Sequence, residues 1–505
     1  MNADGTAPPL TPTHDTRFFG HPLGLATLFF TEMWERFSFY GMRGILLLFL
    51  TAAVADGGLG FSVQWGASIY AIYTSSVYLL GLLGGWLADR FLGQRKAVFI
   101  GGVFIALGHF VLIVPSTPAF FLGLVIIASG VGLLKTNVSV IVGQLYPADD
   151  PRRDAGFSIF YMGINVGALA GPLVTGFLGE GINFRLGFGA AGVGMVLGLI
   201  QYIYGWRWLG DAGLRPTHVA PEAGGEGSRA RAVIGWTLGV VIAAAAGSLI
   251  FLAVTGRLTI TPETISNFFG VVLLAVTVGF FAWLFLAERW SRVERGRLAT
   301  IVVLFVAAGI FWGAYEQAGS SLTLFARDAT DRMLDWFDYE FPASWFQPVP
   351  ALFVIVLAPV FAWLWIRMGS RQPSSPAKFA WGLVFVGLGF VVMMMASTLS
   401  ASGQKVSPWW LITTYLLHVI GEMCLSPVGL STVTKLAPER VSSLMMGVWF
   451  LAAAVGNYVG GRAAGFYESL PLWQLFGVFA GVTILAGVLL ALLVPLIKRL
   501  MGGVH

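Results

Sequence analysis

Long apolar runs alternate along the chain with short polar breaks carrying glycine, proline or clustered charge. A helix needs roughly 20 apolar residues to cross a bilayer, and runs of that length predict about fourteen spans. Approximate limits are 23–54, 63–89, 96–115, 118–146, 153–179, 186–209, 231–254, 265–287, 299–325, 343–367, 377–398, 408–435, 441–466 and 470–497. The breaks include "YPADDPRRD", "GDAGLRPTHVAPEAGGEGSRAR", "SRVERGRLA" and "RMGSRQPSSPAK", all of them turn and loop chemistry. With both termini in the cytoplasm, the inner breaks gather Arg90, Arg95, Lys96, Arg152, Arg153, Arg289, Arg292, Arg295, Arg297, Arg367, Arg371, Lys378, Lys498 and Arg499. The outer breaks hold few cations, such as Arg185, Arg257, Arg327, Arg332 and Lys405. This is the asymmetry of the positive-inside rule, and it fixes the orientation.

Composition agrees. A chain of 505 residues that is 57% hydrophobic and 11% charged, with a mean hydropathy of +0.79, lacks the polar surface of a soluble protein. The pI of 9.3 reports loop basicity rather than a nucleic-acid partner, because the excess cations lie between apolar spans. A single cysteine, Cys424, excludes an internal disulfide and a cysteine metal cage. Residues 1–20, polar and rich in Pro and Thr, show no signal-peptide pattern and are expected to form a disordered cytoplasmic tail.

The inner loop "GGWLADRFLGQRKAVFIGG" (84–102) is echoed by "WLWIRMGSRQPSSPAKFAWG" (363–382). Each joins the second and third helix of a six-helix group, as in transporters built from parallel repeats. The expected organisation is a six-helix bundle over 21–210, a cytoplasmic linker over 211–230, an inserted helix pair over 231–290 and a second bundle over 291–500. The inserted pair carries no intramembrane charge and reads as peripheral.

Charge inside the spans is the strongest functional signal. "TEMWERFSFYGMRGILLLFL" (31–50) places Glu32, Glu35, Arg36, Tyr40 and Arg43 within an arc of roughly 140° on a helix. Phe39 shares that face, and Glu32 and Arg36 have the i,i+4 spacing of an ion pair. An intramembrane charge costs a few kcal/mol even on the mildest scale, so four on one helix point to a cavity wall. Lys135 lies too far inside its span to snorkel, and Glu316 and Glu422 are the matching anomalies in the second half. Cations in one half and carboxylates in the other suit pairs that form and break as halves rock. Asn165, Tyr40 and Tyr78 are polar groups able to orient a substrate, while His109 and His418, without charged neighbours in sequence, read as structural. The outer run "RDATDRMLDWFDYEF" reads as a solvated loop, and Gly81 with Gly85 as a helix-packing pair. No P-loop, H-E-x-x-H or G-x-S-x-G occurs, so ATP-driven pumping and hydrolysis lack their usual apparatus.

These residues carry a family resemblance. "EMWERFSFYG" (32–41) resembles the E-x-x-E-R-F-x-Y-Y-G signature of the proton-coupled oligopeptide transporter family (POT or PTR) of the major facilitator superfamily. "FYMGINVGALAGP" (160–172) is similar to its F-Y-x-x-I-N-x-G-S-L motif, "GGWLADRFLGQRKAV" to its second-to-third helix loop and "GEMCLSPVGL" (421–430) to its tenth-helix motif. The likeness runs from about residue 20 to 499. It implies an all-α major facilitator fold of two six-helix bundles plus two extra helices, as in prokaryotic members, in a bacterial inner (plasma) membrane.

By resemblance, Glu32, Glu35, Arg36 and Glu316 carry proton coupling. Arg43 and Lys135 hold the peptide carboxylate, Glu422 and Asn165 receive the amino end, Tyr40 and Tyr78 contact the peptide, and Trp312 and Trp449 line side-chain pockets. Glu316 is expected to face Arg43, and Glu422 to face Lys135. Phe39 replaces the first signature tyrosine, Ala168 a frequent serine, and Pro350 an asparagine that in the family helps bind the amino end; the second helix lacks the histidine of animal members. The expected activity is symport of protons with di- and tripeptides or peptide-like drugs, by a monomer in the lipid bilayer. No enzymatic step, no metal, no nucleic-acid partner and no cofactor beyond the coupling proton is expected. Symport of a solute such as nitrate, or peptide reception without turnover, are the alternatives; nitrate would leave Glu422 without a cationic partner.

Overall fold

A computed structural model describes residues 15–147, 150–216, 261–286, 289–438, 441 and 445–502. Among the described residues the fold is all-α apart from one small hairpin. The helices are α1 (Leu23–Thr51), α2 (Val63–Leu87), α3 (Gln94–Ile113), α4 (Thr117–Gln144), α5 (Arg153–Gly179), α6 (Phe184–Gly205) and α7 (Pro262–Leu286). They continue with α8 (Arg292–Tyr315), α9 (Ser321–Asp328), α10 (Pro348–Met368), α11 (Ser375–Ser400), α12 (Trp409–Leu436), α13 (Met445–Ala464) and α14 (Leu472–Leu500). Among the described residues, eleven helical segments are long and apolar enough to cross a membrane by length and composition. The expected span 231–254 lies outside the described residues. Helices form because a bilayer offers no partner for a bare backbone N–H or C=O. Lipid-facing stripes such as Val271, Leu274 and Val278 on α7 stay exposed.

The chain divides into two compact units. One holds the described residues of 1–46 and 80–221, the other those of 47–79 and 222–505. In the first, small residues bring helices to backbone contact. A Cβ on Gly132 of α4 would lie 2.7 Å from the Leu80 carbonyl carbon, and one on Gly101 of α3 would lie 2.6 Å from the Gly130 carbonyl oxygen. Gly81 and Gly85, the pair expected from sequence, stand at ordinary distance from Thr136 (3.5 and 3.6 Å); Gly84 makes the close approach instead, its Cβ position falling 2.1 Å from the Gly132 oxygen. α5 presses on α1 in the same manner. Thr175 Oγ1 donates to the Gly41 carbonyl at 2.8 Å, and a Cβ on Gly167 would fall 2.2 Å from the Met33 oxygen and 2.9 Å from Arg36 Cβ. The first residues of the described chain are ordered by Asp15, whose carboxylate accepts from the Leu23 amide at 3.0 Å and from Arg17 Nε at 2.8 Å. That arginine holds the Asp15 carboxyl well below the usual range.

In the second unit α2 packs on α13 through a bond from Ser75 Oγ to the Ala454 carbonyl (2.8 Å). Arg462 of α13 donates to Ser68 Oγ at 2.9 Å and to Asn267 Oδ1 of α7 at 3.1 Å, and Tyr458 donates to the Ser266 carbonyl at 2.7 Å. The inserted helix α7 is therefore tied to α13 by polar bonds at one end and exposed along its apolar length. The outer run expected as a loop pairs Met333 with Glu340 and Leu334 with Tyr339 in a two-stranded hairpin, stabilised by Arg332–Glu340 and Lys405–Glu340 ion pairs at 2.9 and 3.2 Å.

The largest departure from the expected spans is at 299–325. The helix stops at Tyr315, continues as a 3-10 turn over Glu316–Gly319 and resumes as α9 at Ser321. The freed backbone is satisfied by side chains, as a membrane interior requires. Gln317 Nε2 donates to the Gly313 and Gly460 carbonyls (2.9 and 2.8 Å), while its Oε1 accepts from Ser320 and Ser321 hydroxyls (3.2 and 2.7 Å). Thr323 Oγ1 donates to the Ala318 carbonyl at 2.7 Å, and Gln347 Nε2 donates both to that carbonyl and to Thr323 Oγ1. Pro350 lies in the first turn of α10, where its missing N–H has no intrahelical acceptor to forgo.

Gly167→Ala is expected to push α5 off α1 and destabilise the protein by about 1–3 kcal/mol, read as a lower melting temperature in detergent. Gly279→Ala on α7, with open space at its Cβ, is the control and should leave the melting temperature level or slightly raised.

Candidate functional site

The stripe expected on α1 forms a compact charged cluster. Arg36 Nε stands 3.1 Å from Glu32 Oε1 and bonds more tightly still to Glu35 Oε2. All three side chains are buried, Glu35 completely. The i,i+4 pair read from sequence is thus half of a shared arrangement in which one guanidinium serves two carboxylates. Phe39 lies with its ring centroid 5.2 Å from the Arg36 guanidinium carbon, and Tyr40 sits between Arg36 (6.0 Å) and Arg43 (5.5 Å). Weakly hydrated guanidinium groups are well served by aromatic faces, so Phe39, which departs from the signature, covers the cation with an apolar ring. Lys135, half-buried on α4, is one of the charges acting on Glu32. Glu32, Glu35, Arg36 and Lys135 together sum to zero formal charge.

Satisfaction within this cluster is incomplete. Glu32 Oε2, Glu35 Oε1 and Arg36 Nη2 are buried without a hydrogen-bond partner among the described residues. Such groups are costly in a low-dielectric site; a carboxylate oxygen in this position can be relieved by taking up a proton. Asn165, on α5, is buried and donates to the Tyr161 carbonyl one turn back (3.1 Å), which leaves its carbonyl as the group able to accept from a ligand. His109 is packed in the interior with Nε2 2.6 Å from Ser38 Oγ.

The second constellation surrounds the break after α8. Glu316 is the first residue of the 3-10 turn and is buried. It opens the run Glu316-Gln317-Ala318-Gly319-Ser320-Ser321, whose Gln317, Ser320 and Ser321 side chains bond to one another across the break. Glu422, on α12, is also buried, and its Oε2 accepts a hydrogen bond from the Tyr315 hydroxyl at 2.5 Å. Glu316 is near enough for its charge to act on Glu422. Trp312 stands one turn before Glu316, edge-on to Phe311 and Tyr315 (5.4 and 5.6 Å between centroids), its buried Nε1 lacking a hydrogen-bond partner among the described residues. Trp449, on α13, rests over Gly429, where a Cβ would come within 2.2 Å of its ring. Tyr78, on α2, has its ring 6.3 Å from that of Phe450. His418 is buried against Phe390 (4.9 Å) and Tyr315 (6.1 Å).

Of the expected residues, Glu32, Glu35, Arg36, Tyr40, Arg43, Lys135 and Asn165 lie in the first unit, and Tyr78, Trp312, Glu316, Glu422 and Trp449 in the second. Sequence reading missed Tyr315, Gln317 and Gln347. Polar residues clustered at mid-span after Glu316 were the available signal, since interrupted helices mark transporter binding sites.

Comparison with known proteins gives a consistent answer. The model of the POT family matches residues 95–473. The chain is 44% identical to the uncharacterized transporter YclF of Bacillus subtilis, with 96% of each chain covered. It is 42% identical to the peptide transporter YePEPT of Yersinia enterocolitica, again over 96% of each, and 35% identical to a di-/tripeptide transporter of Lactococcus lactis over 97% of this chain and 98% of that one. A crystal structure of a peptide transporter POT in complex with sulfate superposes with a TM-score of 0.88 at 42% identity, covering 98% of this chain and 99% of that one. A POT family transporter in complex with 5-aminolevulinic acid gives 0.87 at 34% identity, covering 96% and 99%. Bacterial relatives and repeated apolar helices make the chain an integral, multi-pass protein of a bacterial inner membrane. Matched along most of its length by the family model and by relatives well above 30% identity, the chain belongs to the POT family of transporters.

Proposed function

We propose that this chain is a proton-coupled symporter that imports di- and tripeptides by alternating access, acting as a monomer without enzymatic turnover or a cofactor other than the coupling proton. One observation carries the reading: Arg36 is shared by Glu32 and Glu35 in a buried cluster where each carboxylate keeps an oxygen without a partner among the described residues. Protonating either carboxylate neutralises one of the two charges that hold Arg36 and so changes the stability of the cluster. If protons bind one access state more tightly than the other, that change shifts the balance between them. Glu316, buried at the break after α8, is the second site of proton coupling.

The peptide roles are those that the family resemblance implies, and the charges of the residues agree with them. Arg43, with Tyr40 against it, and Lys135 supply cations for a carboxylate. By the same resemblance, Glu422 supplies the anion for an ammonium and Asn165 a neutral acceptor. Tyr40 and Tyr78 contact the peptide, Glu316 contributes to the site, and Trp312 and Trp449 line side-chain pockets. Free peptides carry both terminal charges, which suits this arrangement better than a lone anion. The names of relatives that are peptide or di-/tripeptide transporters support the same substrate class, as does a crystal structure of a related POT in complex with alafosfalin.

Purified protein in proteoliposomes should concentrate labelled dialanine when the lumen is held negative and the outside acidic. One proton per neutral peptide at 100 mV is worth about 2.3 kcal/mol, or accumulation of about 50-fold; no accumulation above equilibrium sinks the symporter reading. Glu35→Gln is expected to bring gradient-driven accumulation down to a ratio of about 1 while peptide counterflow continues. Loss of both would assign Glu35 to structure alone.

A further inference from the structure

The amine end of the proposed site contains a group that neither the family name nor the sequence motifs single out. Tyr315 is the last residue of α8, next to the turn that begins at Glu316, and its hydroxyl donates to Glu422 Oε2 of α12 at 2.5 Å. Its ring has little freedom. It stacks on Phe311 at 5.5 Å and 22°, meets Trp312 edge-on at 5.6 Å, and lies 6.1 Å from the imidazole of His418, which itself packs on Phe390. The backbone just beyond is fixed by the Gln317 bonds to the Gly313 and Gly460 carbonyls. A hydroxyl held by its ring and its backbone is a preorganised donor.

Glu422 has a flexible stem, and a carboxylate that must meet an ammonium gains from having its rotamer chosen beforehand. We propose that Tyr315 is the positioning residue of the amine subsite: it fixes Glu422 through Oε2, so that Oε1 is presented to the substrate ammonium. The inference rests on Glu422 being the amine acceptor, as argued above. It makes Tyr315 a determinant of selectivity for substrates with a free amino end, acting through Glu422.

The test compares two ligands that differ only at that end: dialanine, and lactoyl-alanine, in which a hydroxyl replaces the ammonium. Direct binding to the purified protein should show Tyr315→Phe weakening dialanine by about tenfold, the scale of a hydrogen bond to a charged group, with lactoyl-alanine unchanged. Phe311→Leu keeps the hydroxyl but removes the stack, and should produce a smaller loss confined to dialanine. Equal losses for both ligands in both variants, or none, would overturn the positioning role, because a purely structural tyrosine does not distinguish the two ligands. Glu422→Gln separates the layers of the argument. A selective loss of dialanine in that variant, with Tyr315→Phe indifferent, removes only the role of Tyr315; indifference of Glu422→Gln to the amine removes Glu422 as acceptor and the inference with it.

Discussion

Arg36 cannot shed its charge at any accessible pH, and it is buried in the membrane-spanning part of α1. Much of the surrounding structure is an answer to that constraint. Two carboxylates on the same helix share the guanidinium, an aromatic ring covers it, and α5 comes close enough at Gly167 to seal the flank. A buried ion pair is weak evidence for stability, because desolvation offsets much of its attraction. A buried triad that still leaves carboxylate oxygens without donors among the described residues is weaker evidence still. Its persistence in such an expensive setting is better explained by an equilibrium that must be adjustable than by packing.

The second constellation meets the same constraint by different means. Glu422 is supported by a neutral phenol rather than a guanidinium. Around Glu316 the backbone itself changes form, with the Gln317 and Gln347 amides taking over the bonds a continuous helix would have made. Rigid amide networks of this kind place a polar turn inside a membrane without exposing bare backbone to lipid.

Much of this was legible in the sequence because a bilayer punishes exceptions. Length and hydropathy place the spans, cation asymmetry orients them, and the few charges left inside stand out: Glu32, Glu35, Arg36, Arg43, Lys135, Glu316 and Glu422 needed no structure to be noticed. The break after Tyr315 was not legible in the same way. Apolar run length is unchanged by it, and its cause is a glutamine that bonds to a carbonyl of α13 far along the chain. Tyr315 escaped for a related reason, since a tyrosine on an apolar helix face is ordinary until a carboxylate is placed beside its hydroxyl. The hairpin at Met333–Glu340 has two residues per strand, too few for alternation to show. The expected interior pair Gly81 and Gly85 lay three positions before and one after the closest contact, at Gly84, because small-residue spacing alone does not say which glycine faces the neighbour.

The contrast between the two carboxylate environments has a consequence for how a peptide is bound. In the α1 cluster each acid already has a cation, so an arriving ammonium would compete with Arg36 for it. Glu422 has a donor that stabilises its geometry but brings no positive charge, so its negative charge is not neutralised by the group that holds it. On the proposed function, a carboxylate set in place by a neutral hydroxyl is the better acceptor for a substrate amine, whereas a proton taken up by one shared with a guanidinium, which the cation opposes, is felt at once by its neighbours. On the proposed function, the division of labour between peptide and proton is set by what each carboxylate is bonded to, even though both are buried acids on membrane helices.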